Sequence, residues 1–162
     1  MSDPINYLTK EGYAELEARL EYLRTVRRAE VAERLHLALD EGGELVENAE
    51  YEDAKTEQAF LEGEIMRLET ILSRAELIEK DTSPKKGKKP EVRLGDKVVV
   101  SEKGSKETET FHLVGAAEAD PRKGRISNES PMGRALLGKK VGEKITVKAP
   151  AGDIVYTIKG IE

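Results

Sequence analysis

Between Thr9 and Glu79 the chain contains no proline, and its apolar residues recur at three- and four-residue steps on both sides of a Gly-Gly pair. Few folds accept that pattern. Thr9 is placed to cap a first helix, its hydroxyl accepting a backbone N–H of the opening turn. Tyr13, Leu16, Leu20 and Leu23 then lay an apolar seam along one face. The seam changes phase near Arg27 and continues through Val31, Leu35 and Leu39, as a stutter would. Gly42 and Gly43 supply the stop, because glycine readily takes the left-handed conformation that ends helices. A helix of about 30 residues is roughly 45 Å long. In a second helix, Tyr51, Ala54, Gln58, Leu61, Ile65, Leu68, Leu72 and Ala75 keep one stripe. Two helices joined by so short a connection must run antiparallel. Each is too polar to persist alone in water, so burial of the two stripes against each other has to hold the pair. Small residues lie toward the turn and large ones toward the open end, which predicts an antiparallel coiled-coil hairpin over 1–79, slim at its tip.

The pattern then changes. Residues 80–91, with two prolines and five lysines in Lys80-Asp81-Thr82-Ser83-Pro84-Lys85-Lys86-Gly87-Lys88-Lys89-Pro90, read as a basic flexible linker. From 92 to 162 the signals are those of strands: Lys97-Val98-Val99-Val100, Thr110-Phe111-His112-Leu113-Val114, Lys144-Ile145-Thr146-Val147 and Ile154-Val155-Tyr156-Thr157-Ile158. Pro150-Ala151-Gly152-Asp153 links the last two as a hairpin. Ser130 to Gly138 reads as a short helix with Ser130 at its N-cap, Pro131 at its first position and Gly138 as its stop. The second half is therefore a small α+β domain.

Composition excludes several functions. A net charge of −5 disfavours a general nucleic-acid or membrane-surface binder. Without cysteine there are no disulfides or thiolate metal sites, and the balance tips toward a reducing compartment, so a cytoplasmic location is expected. No apolar run approaches the roughly 18 residues that span a bilayer. Phosphate loops, cysteine nucleophiles and HExxH motifs are missing, and His36 and His112 stand alone. Arg24, Arg27 and Arg28 form a basic cluster for which pairing with Glu21 and Glu30 accounts in large part; an RNA-facing role is the alternative.

One stretch resists a purely structural reading. Asp40-Glu41-Gly42-Gly43-Glu44-Leu45-Val46-Glu47-Asn48-Ala49-Glu50-Tyr51-Glu52-Asp53 is dense in carboxylates and lacks Lys and Arg. Glu47, Glu50, Glu52 and Asp53 suit the positive N-terminal end of the second helix. Asp40, Glu41 and Glu44 do not, since they add repulsion where the first helix ends. Carboxylates gathered at an exposed turn suit Mg²⁺, which is commonly held by one or two of them with waters and substrate oxygens. A turn at the end of a rod cannot cage an ion alone, but it can complete a site supplied by a partner.

Gly43-Glu44-Leu45-Val46-Glu47-Asn48-Ala49-Glu50-Tyr51 resembles the G-D-L-x-E-N-A-E-Y signature of the GreA/GreB bacterial transcript cleavage factors. The resemblance continues through Ala54-Lys55, Glu57-Gln58 and Leu72-Ser73-Arg74-Ala75. In the second half it returns in Glu118-Ala119-Asp120-Pro121, Lys123-Gly124-Arg125-Ile126-Ser127, the Ser130 to Gly138 stretch and Val141-Gly142-Glu143. It covers nearly the whole chain in order and is closer to the GreA branch. It implies an FKBP-like C-terminal domain that docks at the rim of the RNA polymerase secondary channel, with Ser130, Pro131 and Met132 as docking residues, while the coiled coil enters the channel. It further implies that Glu44 and Glu47 assist the Mg²⁺ of the polymerase, that Asn48 and Tyr51 shape the tip, and that backtracked nascent RNA is the molecule cut. On that reading the chain is a monomeric coactivator and not an enzyme, with no ion bound on its own and no membrane partner.

This sequence departs from the family pattern in two places. Glu44 stands where aspartate is usual, and Gly42 where a larger polar residue, commonly histidine, is usual. An altered tip is also found in homologues that inhibit polymerase by occupying the channel, which is the alternative reading. A dimerising scaffold would need an unbroken heptad pattern, which Gly42-Gly43 interrupts. A prolyl isomerase would need an aromatic pocket, and the second half offers only Phe111 and Tyr156.

Overall fold

A computed structural model describes residues 4–41, 48–79 and 91–162. The expected glycine stop at Gly42-Gly43, the tip acids Glu44 and Glu47, and all but the last residue of the basic linker lie outside the described residues.

The chain forms two compact units, one comprising Tyr13–Arg74 and the other combining the N-terminal residues through Gly12 with Ala75–Glu162. In the helical unit, α1 (Lys10–Tyr22) runs through a π-helical segment (Leu23–Arg27) into α2 (Arg28–Glu41), and α3 (Ala49–Ser73) packs beside them. Cross-helix ion pairs fix the direction: Arg19 meets Glu64, whereas Arg34 meets Glu50, so α3 runs opposite to α1 and α2. The core is a single row of Leu20, Leu23, Val31, Leu61, Ile65 and Leu68, flanked by Leu16, Leu35 and Leu72.

The phase change expected near Arg27 has a local cause. The step from Leu23 to Val31 is about one residue longer than two α-turns, so an uninterrupted α-helix would rotate Val31 off the seam. The π segment absorbs the extra residue: the Arg28 N–H reaches back five positions to the Leu23 carbonyl. Leu23 and Val31 are both buried as a result.

Three seam assignments are corrected. Leu39 is 54% exposed and the neighbouring Ala38 is buried in its place, because the π segment resets the register. Gln58 is exposed, and half-buried Glu57 faces inward between two guanidinium groups. Ala75 has left the helix, which ends at Ser73, and begins a strand. The narrowing toward the tip does hold for the described residues, where the buried positions nearest it are Ala38 and Ala54.

In the other unit, β1 (Asn6–Leu8) and β2 (Ala75–Leu77) form a parallel pair, with Leu8 fully buried. A parallel pair needs a long crossover, and here the whole helical unit provides it. These residues were expected to extend the hairpin. The five-stranded sheet has the order β5-β4-β3-β7-β6. Its strands are β3 (Lys97–Glu102), β4 (Glu109–Val114), β5 (Arg125–Ser127), β6 (Lys144–Ala149) and β7 (Gly152–Ile161), with α4 (Pro131–Leu136) preceding β6. Alternate β3 residues Val98 and Val100 join Val92, Leu113, Ile126, Leu136, Ile145 and Ile158 in one core. Four strands, the final hairpin and α4 match the sequence expectation; β5, only three residues long, was not anticipated.

Candidate functional site

Among the described residues of the acidic stretch, Asn48 makes the connecting bonds. Its side-chain oxygen accepts the Tyr51 N–H at 3.1 Å, capping α3, and its side-chain amide donates to the Ala38 carbonyl at 2.6 Å. The backbone carbonyl of Asn48 also accepts the Glu52 N–H at 3.1 Å. One residue therefore starts α3 and staples it to the last turns of α2. Asn48 directly follows Glu47 in sequence. Tyr51 lies half-buried, with the Lys55 ammonium 5.2 Å from its ring centre. Glu44 and Glu47 themselves lie outside the described residues.

Behind this staple runs a ladder of ion pairs. Arg34 pairs with Glu50 at 3.5 Å and with Glu57 at 2.5 Å, and Arg27 reaches the other oxygen of Glu57 at 2.5 Å while also pairing with Glu30. Hydrogen bonds from Arg34 first, and then Arg27, hold the Glu57 carboxyl below the usual carboxylate range. Arg28 grips Glu62 through two bonds of 2.8 and 2.7 Å, which lowers that carboxyl as well. Arg24 pairs with Glu69. The candidate RNA-facing residues Arg24, Arg27 and Arg28 thus each bind a carboxylate of α3 in this conformation. Glu30 is the one expected partner found, and the others come from across the helix pair.

In the sheet unit, Ser130 caps α4, accepting the Gly133 N–H at 3.0 Å and donating to the Ser127 carbonyl at 2.7 Å. Met132 packs half-buried against the core, and Pro131 is exposed at the first turn. Of the three candidate docking residues, Pro131 is the freest to meet a partner. The Nε2 of His112 lies 3.1 Å from the Gly95 carbonyl, and His36 sits 3.4 Å from Asp40. Among the described residues, no three or more His, Cys, Asp or Glu side chains converge as a metal site, and no helix is long and apolar enough to cross a membrane.

Sequence reasoning missed two features. The Asn48 cap was legible, as an asparagine directly before a helical run rich in acids at its start. Arg34 had no local signal, since its partners Glu50 and Glu57 become neighbours only when the helices pair.

Comparison with known proteins gives a consistent result along the chain. Residues 6–77 match the family described as transcription elongation factor, N-terminal, and residues 87–162 match transcription elongation factor, GreA/GreB, C-term. The chain is 51% identical over 158 residues to transcription elongation factor GreA of Chloroflexus aurantiacus, covering 98% of each. It is 48% identical over 162 residues to transcription elongation factor GreA of Roseiflexus castenholzii, covering 100% of each. Among solved structures, GreA factor homolog 1 (Gfh1) of Thermus thermophilus is 33% identical, covers 98% of this chain and 99% of its own, and has a TM-score of 0.43.

Proposed function

The chain belongs to the GreA/GreB family of transcription elongation factors, and from that premise we propose that it stimulates RNA polymerase to cut backtracked RNA. The antiparallel helical unit acts as a coiled-coil hairpin that enters the secondary channel of the polymerase. The sheet unit, FKBP-like in this reading, docks at the channel rim through the α4 region, with Pro131 exposed there. The factor is a coactivator, working as a monomer on the polymerase and its nascent RNA in the cytoplasm.

The single observation that carries the reading is the staple at the end of the helix pair. Asn48 joins α2 to α3 directly after Glu47, where the buried residues have narrowed to Ala38 and Ala54. A slim, pinned end bearing carboxylates suits delivery into an enclosed active site, where geometry must hold to within about an ångström. The cross-helix arginine ladder supports the same reading, because it stiffens the pair behind that end.

The donor chemistry fits Mg²⁺, whose usual protein ligands are carboxylate oxygens. Glu44 and Glu47 would share in holding the polymerase's ion, which supplies Lewis-acid charge stabilisation and activation of water. Asn48 caps the start of α3, one residue after Glu47 in sequence. Arg34 neutralises Glu50 and Glu57, so these two compete less for the same cation.

The test is to add the full chain to halted, backtracked elongation complexes with Mg²⁺. A shortened RNA that the same complex then extends supports the proposal. RNA that stays intact while the factor is bound refutes it.

A further inference from the structure

The two sides of the helical unit keep different residue counts. On α3 the buried residues Ala54, Leu61 and Leu68 repeat every seven positions. On the facing helix Leu23, Val31 and Ala38 are buried, and the first interval is one residue longer than the second. The extra residue lies in the π segment, where the Arg28 N–H bonds to the Leu23 carbonyl five positions back.

A stutter would absorb the same residue by unwinding the α-helix locally. The side chain at position 27 decides between the two. Four positions after Leu23 and four before Val31, it would sit on the seam of an unwound α-helix. A guanidinium buried there without partners is costly. The π segment turns it to the flank instead, where the Arg27 side chain is 34% exposed. There it reaches one oxygen of Glu57 at 2.5 Å and also pairs with Glu30. Arg34, one heptad further on, takes the other oxygen of Glu57 at 2.5 Å, so the two arginines share one flank.

The choice also sets a length. An α-helix advances 1.5 Å per residue, so unwinding the π segment pushes α2 about 1.5 Å further along α3. The Ala38 carbonyl, which accepts the Asn48 side-chain amide at 2.6 Å, moves with it.

We propose that Arg27, latched onto Glu57, is a positioning residue for the cleavage reaction: it keeps the π segment and so holds α2 at its observed depth along α3. This rests on the cleavage-factor reading above. A misplacement of about 1 Å can slow an enzymatic step roughly a hundredfold. Loss of the latch therefore lowers the maximal rate.

The experiment uses full chains carrying Arg27→Leu, a deletion of Thr25, or both. Leucine at position 27 gains by burial on the seam and so favours the unwound α form. Thr25 is an exposed residue of the π segment. Its deletion leaves a step of seven from Leu23 to Val31, so the seam closes without a π turn and without the latch. Through-hydrogen-bond NMR couplings identify which carbonyl each amide uses. In Arg27→Leu the Arg28 N–H should switch from Leu23 to Arg24, and the coupling from the Asn48 side chain to Ala38 should vanish. In both deletion variants the Leu23 carbonyl should be kept, now four positions back, together with the Asn48 coupling. At saturating factor the maximal cleavage rate should fall at least tenfold in Arg27→Leu. It should stay within threefold of wild type in the deletion and in the double variant. Recovery in the double variant, which also lacks the Arg27 charge, separates positioning from any contact that charge makes. An Arg28 N–H still bonded to Leu23 in Arg27→Leu would overturn the proposal, as would a full rate despite the switch. So would a double variant as slow as Arg27→Leu, or loss of helical circular dichroism in Arg27→Leu. If wild type itself stimulates no cleavage, the parent reading fails, and the bond assignments still test the latch separately.

Discussion

Replacing Asn48 by alanine removes two bonds at once, and each has a separate cost. Loss of the cap to the Tyr51 N–H costs about 1 kcal/mol. Loss of the donor to the Ala38 carbonyl costs about 1 kcal/mol more, because that carbonyl lies at a half-buried junction. The sum of about 2 kcal/mol corresponds to roughly 30-fold easier local opening. Asn48→Asp separates the terms: aspartate caps as well as asparagine does, but it cannot donate to Ala38. It should therefore show roughly the fivefold effect of the donor alone. The assay is amide exchange at Glu52, Asp53 and Ala54, where opening of the first turn of α3 is read directly. Ile65, deep in the same helix, should not change. In cleavage assays both variants should lose rate in the same order. Exchange within twofold of wild type in both variants would refute the staple argument, as would equal effects of the alanine and aspartate substitutions.

Two further outcomes follow from the ion-pair ladder and the glycines. Glu57 and Glu62 have folded pKa values below their unfolded value of about 4.3, so their contribution is present above that pH and is lost as pH falls through the folded values. Helical-unit melting followed by circular dichroism should fall in temperature below about pH 4.3, and Glu57→Gln should flatten that dependence. Added salt should weaken the effect, because these pairs are partly exposed. Gly63→Ala and Gly115→Ala should differ in sign. Gly63 sits in α3 with open space for 4 Å around the point where an alanine methyl would stand, so alanine there should stabilise by about 1 kcal/mol. At Gly115 the methyl would strike the Tyr7 carbonyl, so alanine should displace β1 and lower the melting temperature. Thermal denaturation of the two variants checks both.

The helical unit was legible because its information is local. Spacing along Leu61, Ile65 and Leu68 specifies a face, and Thr9 and Ser130 announce helix starts through their own side chains. The phase slip after Leu23 was also visible, but whether a stutter or a π segment would absorb it depends on what the partner helix can bury. What could not be read is set by tertiary pairing. Ala38 displaces Leu39 from the seam only once the π segment has reset the register. Glu57 takes the inward position expected of Gln58 because Arg27 and Arg34 meet it there. β1 has three residues and no alternation to show, and its partner β2 lies beyond the whole helical unit in sequence. The Thr9 hydroxyl donates to Glu118, 109 positions away, so no spacing rule could find that bond. For the candidate site, the residue types of the acidic stretch and the local Asn48 cap were legible, whereas the bond from Asn48 to the Ala38 carbonyl required the packed helices.

Glu44 stands where the family usually has aspartate, and its carboxylate reaches one methylene further. The most direct test of the central claim is the rate of RNA shortening in backtracked complexes saturated with wild type, Glu47→Ala, Glu44→Ala or Glu44→Asp, with occupancy measured in parallel. At equal occupancy, the account predicts acceleration by wild type, at least a tenfold loss in each alanine variant, and retention of activity in Glu44→Asp. No acceleration by wild type, or undiminished acceleration by Glu47→Ala, would contradict it.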